Sequence, residues 1–214
     1  MKIALVTLYY PNYRPLAELV LPNWCDYCYK HGYGMFTHCG DWPAPVNQIG
    51  FQKLSFLYNL MNYEECRYDA FAVLDLDVIF TNLTKRIEDF MDDSHDYFVT
   101  TGFNGLCNGS FVVKNNEGGK EVVKTMLENR HGHNNEQDTL KYHLDEEPFA
   151  SRVRVSPYTD FGSFRLDLYP EHGEPTRERG NWQKGDFLLH LAGLELDRRL
   201  EVTQEMLKSE NIVR

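Results

Sequence analysis

The chain has 214 residues, of which 42% are hydrophobic and 25% charged, and its formal net charge is -10. This is ordinary globular composition, long enough to bury a core without disulfide or metal staples. The acidic balance, with no run of Lys or Arg, argues against nucleic acid or an anionic membrane surface as a partner, because both demand a basic footprint. Five cysteines are an odd count and read as reduced thiols. The aromatic complement of 13 Tyr, 13 Phe and 3 Trp suits a core together with a stacking pocket for a sugar or base.

Met1-Lys2-Ile3-Ala4-Leu5-Val6 runs straight into an apolar strand over Ile3 to Leu8. No h-region of signal length and no 18-residue apolar span follows, so the expectation is a cytoplasmic chain or a domain cut from a longer one. Tyr9-Tyr10-Pro11-Asn12-Tyr13 reads as a loop, Leu16 to Lys30 as a helix stopped by His31-Gly32-Tyr33-Gly34, and Met35 to His38 as a second strand. Gly40 to Ile49, with Pro43 and Pro45, is a predicted loop. Phe51, Leu54, Leu57, Tyr58 and Met61 recur at helical spacing, and Tyr68 to Leu74 is a continuous apolar strand that stops at Asp75-Leu76-Asp77. Tyr97 to Thr101 and Gly109 to Lys114 are further strands, and Lys120 to Glu128 and Glu136 to Leu144 are helices. Val153 to Val155 is a short strand, Asp160 to Gly180 an ordered, polar, Gly-rich excursion, Phe187 to Leu191 the last strand and Leu200 to Ser209 a C-terminal helix. Strands alternating with helices predict one α/β domain over 1–214 with a mostly parallel, mixed central sheet flanked by helices. There is no internal repeat or linker-like stretch.

Two carboxylates in a strand are costly if buried without partners. Asp75 and Asp77 therefore belong where the strand leaves the sheet, the edge at which open α/β sheets bind ligands. Period-two alternation would send both side chains to one side. A pair of converging carboxylates suits Mg²⁺ or Mn²⁺, with substrate phosphates completing the shell. Two solvated or capping aspartates are the plainer reading of a bare D-x-D. Downstream, Phe187-Leu188-Leu189 leads into His190-Leu191-Ala192-Gly193, where an imidazole suits Mn²⁺ and Gly193 lets backbone amides approach a phosphate. Asn135-Glu136-Gln137-Asp138 opens a predicted helix: it either caps that helix or orients an acceptor hydroxyl and stabilises positive charge developing at a sugar carbon.

In this order the chain resembles the GT-A glycosyltransferases, and it is most similar to glycosyltransferase family 34 and to the GT-A domains encoded by chlorella viruses. The similarity is carried by Tyr27 to Tyr33, by Phe51-Gln52-Lys53-Leu54 through Asp75-Leu76-Asp77-Val78-Ile79-Phe80, by Asn108 to Asn115, and by Asp186 to Gly193, and it spans about residues 3 to 193. The resemblance implies a Rossmann-like GT-A fold and a monomeric enzyme that moves a sugar from a nucleotide-sugar, UDP-linked, to a carbohydrate acceptor. It further implies Mn²⁺ or Mg²⁺ as cofactor and retention at the anomeric carbon; for a viral chain the location is the host-cell cytoplasm. By position it places Asp75, Asp77 and His190 on the metal, with Asp75 shared with the ribose. Thr7, Leu8, Tyr9, Tyr10, Lys53, Leu76, Asn108 and Gly193 fall at the donor, and Glu136, Gln137 and Asp138 near the reacting centre. Front-face attack is the preferred route to retention; the covalent route would use Glu136 or Asp138. Family members carry a basic residue soon after His-x-x-Gly where this chain has Leu194-Glu195, which leaves Lys184, Arg198 or Arg199 to supply the charge.

The competing readings are a non-catalytic nucleotide-sugar or carbohydrate-binding module and a sugar nucleotidyltransferase. The latter is disfavoured because the loop after the first strand is aromatic rather than Gly-rich. Cys25-Asp26-Tyr27-Cys28 matches a redox motif but falls inside a predicted helix, so two packed thiols are expected. Gly102 to Gly105 and Asn116 to Gly119 read as turns. His131-Gly132-His133-Asn134-Asn135 reads as a solvated loop before the helix in preference to a metal site completed by a Cys or His elsewhere, and the sequons at Asn82 and Asn108 read as coincidental.

Overall fold

The computed structural model describes residues 1–41, 49–102, 105–169, 171, 173–208 and 210–214, with His131 described by its backbone alone. The loop with Pro43 and Pro45, and Phe103 and Asn104 of the expected turn, lie outside the described residues. Among the described residues nine strands follow in chain order: β1 (Ile3–Tyr9), β2 (Gly34–Cys39), β3 (Ala70–Leu74), β4 (Val78–Phe80), β5 (Tyr97–Gly102), β6 (Gly105–Lys114), β7 (Val153–Ser156), β8 (Ser163–Phe164) and β9 (Leu188–His190). The helices are α1 (Arg14–His31), α2 (Ile49–Met61), α3 (Glu117–Glu128), α4 (Glu136–His143), α5 (Phe149–Arg152), α6 (Tyr158–Phe161) and α7 (Leu196–Met206).

Six strands form the central sheet in the order β2-β1-β3-β6-β5-β7. Strand β1 runs parallel to both β2 and β3, β6 is antiparallel to β3 and β5, and β7 is parallel to β5. The first strands read as unbroken apolar runs because both faces are covered. Ile3, Leu5, Ala70, Ala72 and Leu74 pack against α1, whereas Ala4, Val6, Phe71 and Val73 pack against α2 and α3. From β1 the chain crosses to one side to make β2 and to the other to make β3. The carboxyl ends of β1 and β3 therefore flank a topological switch point, the crevice where such sheets take ligands.

Val78-Ile79-Phe80 does not extend β3. It turns out of the main sheet and pairs antiparallel with β9, which is parallel to β8, giving a second, three-stranded sheet. The other edge of β4 is closed by α1: Trp24 Nε1 donates to the Val78 carbonyl at 2.8 Å, and Asn23 exchanges two hydrogen bonds with the Phe80 backbone. Trp24 is fully buried, which on apolar area alone is worth about 2–3 kcal/mol. Helix α7 covers the small sheet, with Val202 and Met206 packed on Ile79, Leu189 and Leu191.

Several predicted boundaries shift. Over its described residues the Asp160 to Gly180 excursion holds β8, and Arg177 Nη2 donates to Asp186 Oδ1 at 2.7 Å. Glu117-Gly118-Gly119 is the first turn of α3 and not a separate turn, because the Asn116 side chain accepts from the Gly119 N–H at 2.8 Å and caps the helix. All five cysteines are free. Burial pushes the Cys28 thiol up to about 12, with Cys25 adding to the shift, so this motif is unsuited to thiolate chemistry. Asn82 and Asn108 are buried, which fits the coincidental reading of both sequons. Among the described residues no helix is long and apolar enough to cross a membrane.

Candidate functional site

The acidic triplet is a turn and not a strand end. The Val78 N–H bonds to the Asp75 carbonyl at 3.1 Å, and the Asp75 N–H bonds to the Gly109 carbonyl of β6 at 2.7 Å. Alternation along a strand is therefore not what brings the carboxylates together; the turn does. His190 reaches them through the second sheet, where it lies in register with Val78 and the Leu191 N–H bonds to the Asp77 carbonyl at 3.0 Å. Ligand atoms of Asp75, Asp77 and His190 all fall within 4.8 Å of one another.

Gly109 explains how they fit. A Cβ there would come within 2.8 Å of Asp75 Oδ2 and 3.0 Å of His190 Nε2, so the bare backbone makes the space both ligands occupy. Gly109→Ala is expected to keep the fold while weakening Mn²⁺ binding by about 10–100-fold, as displaced supporting contacts around a metal do. Calorimetric titration with Mn²⁺ checks this, and an unchanged affinity would contradict the proposed ligand arrangement.

The cluster is electrostatically poised. His190 Nε2 lies 3.3 Å from Asp77 Oδ1, and Arg199 Nε lies 3.3 Å from Asp77 Oδ2. The arginine contact is an ion pair without hydrogen-bond alignment, which leaves a buried N–H unsatisfied at the site. Burial alone would raise the Asp77 carboxyl, but the His190 imidazolium and the Arg199 guanidinium outweigh it and hold the group well below the usual carboxylate range. Burial works against the charged His190 ring, yet Asp77 and Cys107 raise it well above the ordinary histidine range. Cys107 Sγ stands 3.6 Å from His190 Nδ1, a neighbour with no local sequence signal. Two carboxylates and one imidazole form a donor set suited to Mn²⁺ or Mg²⁺, with positions left for water and phosphate.

These residues border a hollow of about 250 Å³ lined by Leu8, Tyr9, Tyr10, Tyr13, Ile49, Asp75, Leu76, Asp77, His190, Ala192, Gly193 and Arg199. Gly193 takes a φ of 80° that a side chain would resist, and Tyr169 donates to the Ala192 carbonyl at 2.6 Å, fixing this turn. Of the three basic candidates Arg199 stands at the hollow, with its guanidinium 5.8 Å from the Tyr13 ring centre. Lys184 is exposed, and Arg198 pairs with Glu201.

Other expected residues lie away from the hollow. Thr7 and Asn108 are wholly buried beneath the hollow and do not line it. Asn108 instead accepts from Tyr97 Oη at 2.6 Å, while its N–H donates to Gln137 Oε1 at 2.9 Å. Lys53 does not face the donor space: it is 3% exposed, 2.6 Å from Asp75 Oδ1 and 3.6 Å from Glu136 Oε1. Glu136 is buried behind Asp75, and its carboxyl is raised by burial, lowered by Lys53 and raised again by Asp75, with a net upward shift. Glu136 and Gln137 therefore support Asp75 and the β6 backbone from beneath. Asp138 borders a separate hollow with His133 and Tyr142. Asn135 does cap α4, its Oδ1 accepting from the Asp138 N–H at 2.8 Å.

No protein-family model and no curated protein sequence matches the chain. Solved structures do. A glycosyltransferase involved in glycosylation of the major capsid of PBCV-1 superimposes with a TM-score of 0.75 at 19% identity, covering 96% of this chain and 100% of that one. The glycosyltransferase GlyE of Streptococcus pneumoniae TIGR4 gives 0.57 at 12% identity, over 100% of this chain and 65% of that one. The galactosyltransferase LgtC, solved with donor and acceptor sugar analogs, gives 0.52 at 11% identity over 97% of both chains. The chain has the GT-A fold of these glycosyltransferases, and its Asp75–Asp77–His190 cluster stands at the switch point of that fold.

Proposed function

We propose that the chain is a metal-dependent glycosyltransferase that transfers a sugar from a UDP-linked donor to a carbohydrate acceptor with retention of configuration. The observation that carries this reading is the convergence of Asp75, Asp77 and His190 on one wall of an aromatic-lined hollow. Tyr9, Tyr10 and Tyr13 offer ring faces and edges to the nucleoside, and Asp75, which is partly exposed, is shared between ribose and metal. Asp75, Asp77 and His190 would hold Mn²⁺ or Mg²⁺, which would supply Lewis-acid stabilisation to the departing diphosphate. Arg199, aimed at the same place with an unsatisfied N–H, adds a second positive charge to the leaving group. Gly193 leaves its backbone open to the phosphates.

Lys53 neutralises Asp75 from behind and holds it toward the hollow, and Gln137 fixes the β6 backbone that carries Gly109. Among the described residues no carboxylate lines the hollow apart from Asp75 and Asp77. This supports front-face attack over a covalent intermediate on Glu136 or Asp138. The test is a panel of nucleotide-sugars assayed for Mn²⁺-dependent hydrolysis and thermal stabilisation. UDP-sugars are expected to raise the melting temperature and to be cleaved. Stabilisation without cleavage would favour a binding module, and a response to GDP-sugars alone would refute the UDP assignment.

A further inference from the structure

A second group of nitrogen donors lies outside the donor hollow. His133 precedes α4 and His143 closes it, and their Nε2 atoms face each other at 3.3 Å. The two rings are nearly perpendicular, at 89°, with centres 5.3 Å apart. On its other side His143 Nδ1 lies 2.6 Å from Glu146 Oε2. A carboxylate only accepts, so Nδ1 carries the proton and the neutral ring presents a lone pair at Nε2. His133 need only take the matching tautomer to present a second.

Two imidazole–metal bonds of about 2.0–2.1 Å meeting at a tetrahedral angle set the nitrogens about 3.3–3.4 Å apart and the ring centres about 5.2 Å apart. A bent N–H···N bond between the rings gives the same separation, and the ion-binding test below separates the two. The measured pair, 3.3 Å and 5.3 Å, matches convergence on a common point beside both nitrogens. We propose that His133 and His143 form a two-histidine site for a borderline transition-metal ion, Zn²⁺ foremost, with Glu146 as the positioning residue for His143. Imidazole suits zinc and is a poor ligand for Mg²⁺, so this site differs in kind from the oxygen-rich Asp75 cluster. Among the described residues no third His, Cys, Asp or Glu joins the pair at ligand range, and water completes the shell.

The ion would tie the segment before α4 to the helix's last turn. That segment ends at Asn135, the cap that sets where Glu136 and Gln137 begin. Zinc binding should therefore stabilise the helix that supports Asp75 and β6.

The test is Zn²⁺ binding by equilibrium dialysis, paired with melting curves in the presence and absence of Zn²⁺. The intact chain is expected to bind one Zn²⁺ more than His133→Ala or His143→Ala. His190→Ala, disabled at the Asp75 cluster, is expected to keep that ion. Glu146→Gln should bind it about tenfold more weakly. Zinc should raise the melting temperature of the intact chain by more than that of His143→Ala, which keeps only the Asp75 cluster, and should still raise that of His190→Ala, each compared with its own zinc-free melt. A His143→Ala chain that binds as many ions as the intact one, or a His190→Ala chain that binds none, overturns the proposal.

Discussion

Asp77→Ala is expected to abolish metal-dependent hydrolysis of the donor, lowering turnover by about 10³-fold or more, the scale on which charge stabilisation of a leaving group operates. Asp77 is 4% exposed, and its two oxygens face His190 and Arg199 separately. Truncation therefore removes a metal ligand and strands two basic groups in a buried place. Losing one partner of such a pair costs on the order of 3–5 kcal/mol of stability, so activity lost in the alanine variant alone would be open to a folding explanation. Asp77→Asn separates the two effects. It keeps the volume and an acceptor oxygen but carries no charge, so it should melt as a folded protein and still fail to respond to Mn²⁺. Asp75→Asn should lose less, because Asp75 already shares its charge with Lys53 and is 43% exposed along its side chain. A folded Asp77→Asn chain with full Mn²⁺-dependent hydrolysis would falsify the metal assignment.

What the sequence discloses about this site follows from which interactions are local. Ile3 to Leu8 and Tyr68 to Leu74 are legible as strands because burial on both faces leaves unbroken apolar runs, and an acidic triplet after such a run can hardly lie inside the sheet. The departure of β4 is not legible. Val78-Ile79-Phe80 is as apolar as β3, and it is held in the second sheet by β9 on one edge and by the side chains of Asn23 and Trp24, more than fifty residues upstream, on the other. That detour is what lets His190 stand beside Asp77. Arg199 is similarly hidden: its position depends on how Val202 and Met206 seat α7 against Ile79 and Leu189, which no local pattern encodes. Lys53 is identifiable as part of the site, but its two carboxylate partners are not. A lysine among Phe51, Leu54 and Leu57 lies on the apolar face of its helix, and a buried ammonium needs carboxylates close by, which Asp75 and Glu136 supply from distant parts of the chain.

The same burial sets the second large effect. Lys53→Met should cost on the order of 3–5 kcal/mol at neutral pH, because it leaves Asp75 and the buried Glu136 without their shared cation. Burial works against the charge on Lys53, but Asp75 and Glu136 outweigh it and raise its pKa, so the ammonium persists across the working range. Glu136 supplies the pH dependence. Burial raises its carboxyl above the unfolded value despite Lys53, and removing Lys53 takes away the main influence that lowers it. An acid whose folded pKa exceeds its unfolded pKa binds more protons in the native state. Its contribution to stability is therefore fully present below the unfolded pKa and is lost as pH rises through the folded one. The deficit of Lys53→Met should accordingly shrink as pH falls from 7 toward that of an ordinary carboxyl, and Lys53→Met/Glu136→Gln should recover much of it at pH 7. Urea unfolding of the wild type, the single variant and the double variant at two pH values measures all three terms. A single variant within about 0.5 kcal/mol of wild type at pH 7, the range of an ordinary surface change, would show that Lys53 does not neutralise the two acids.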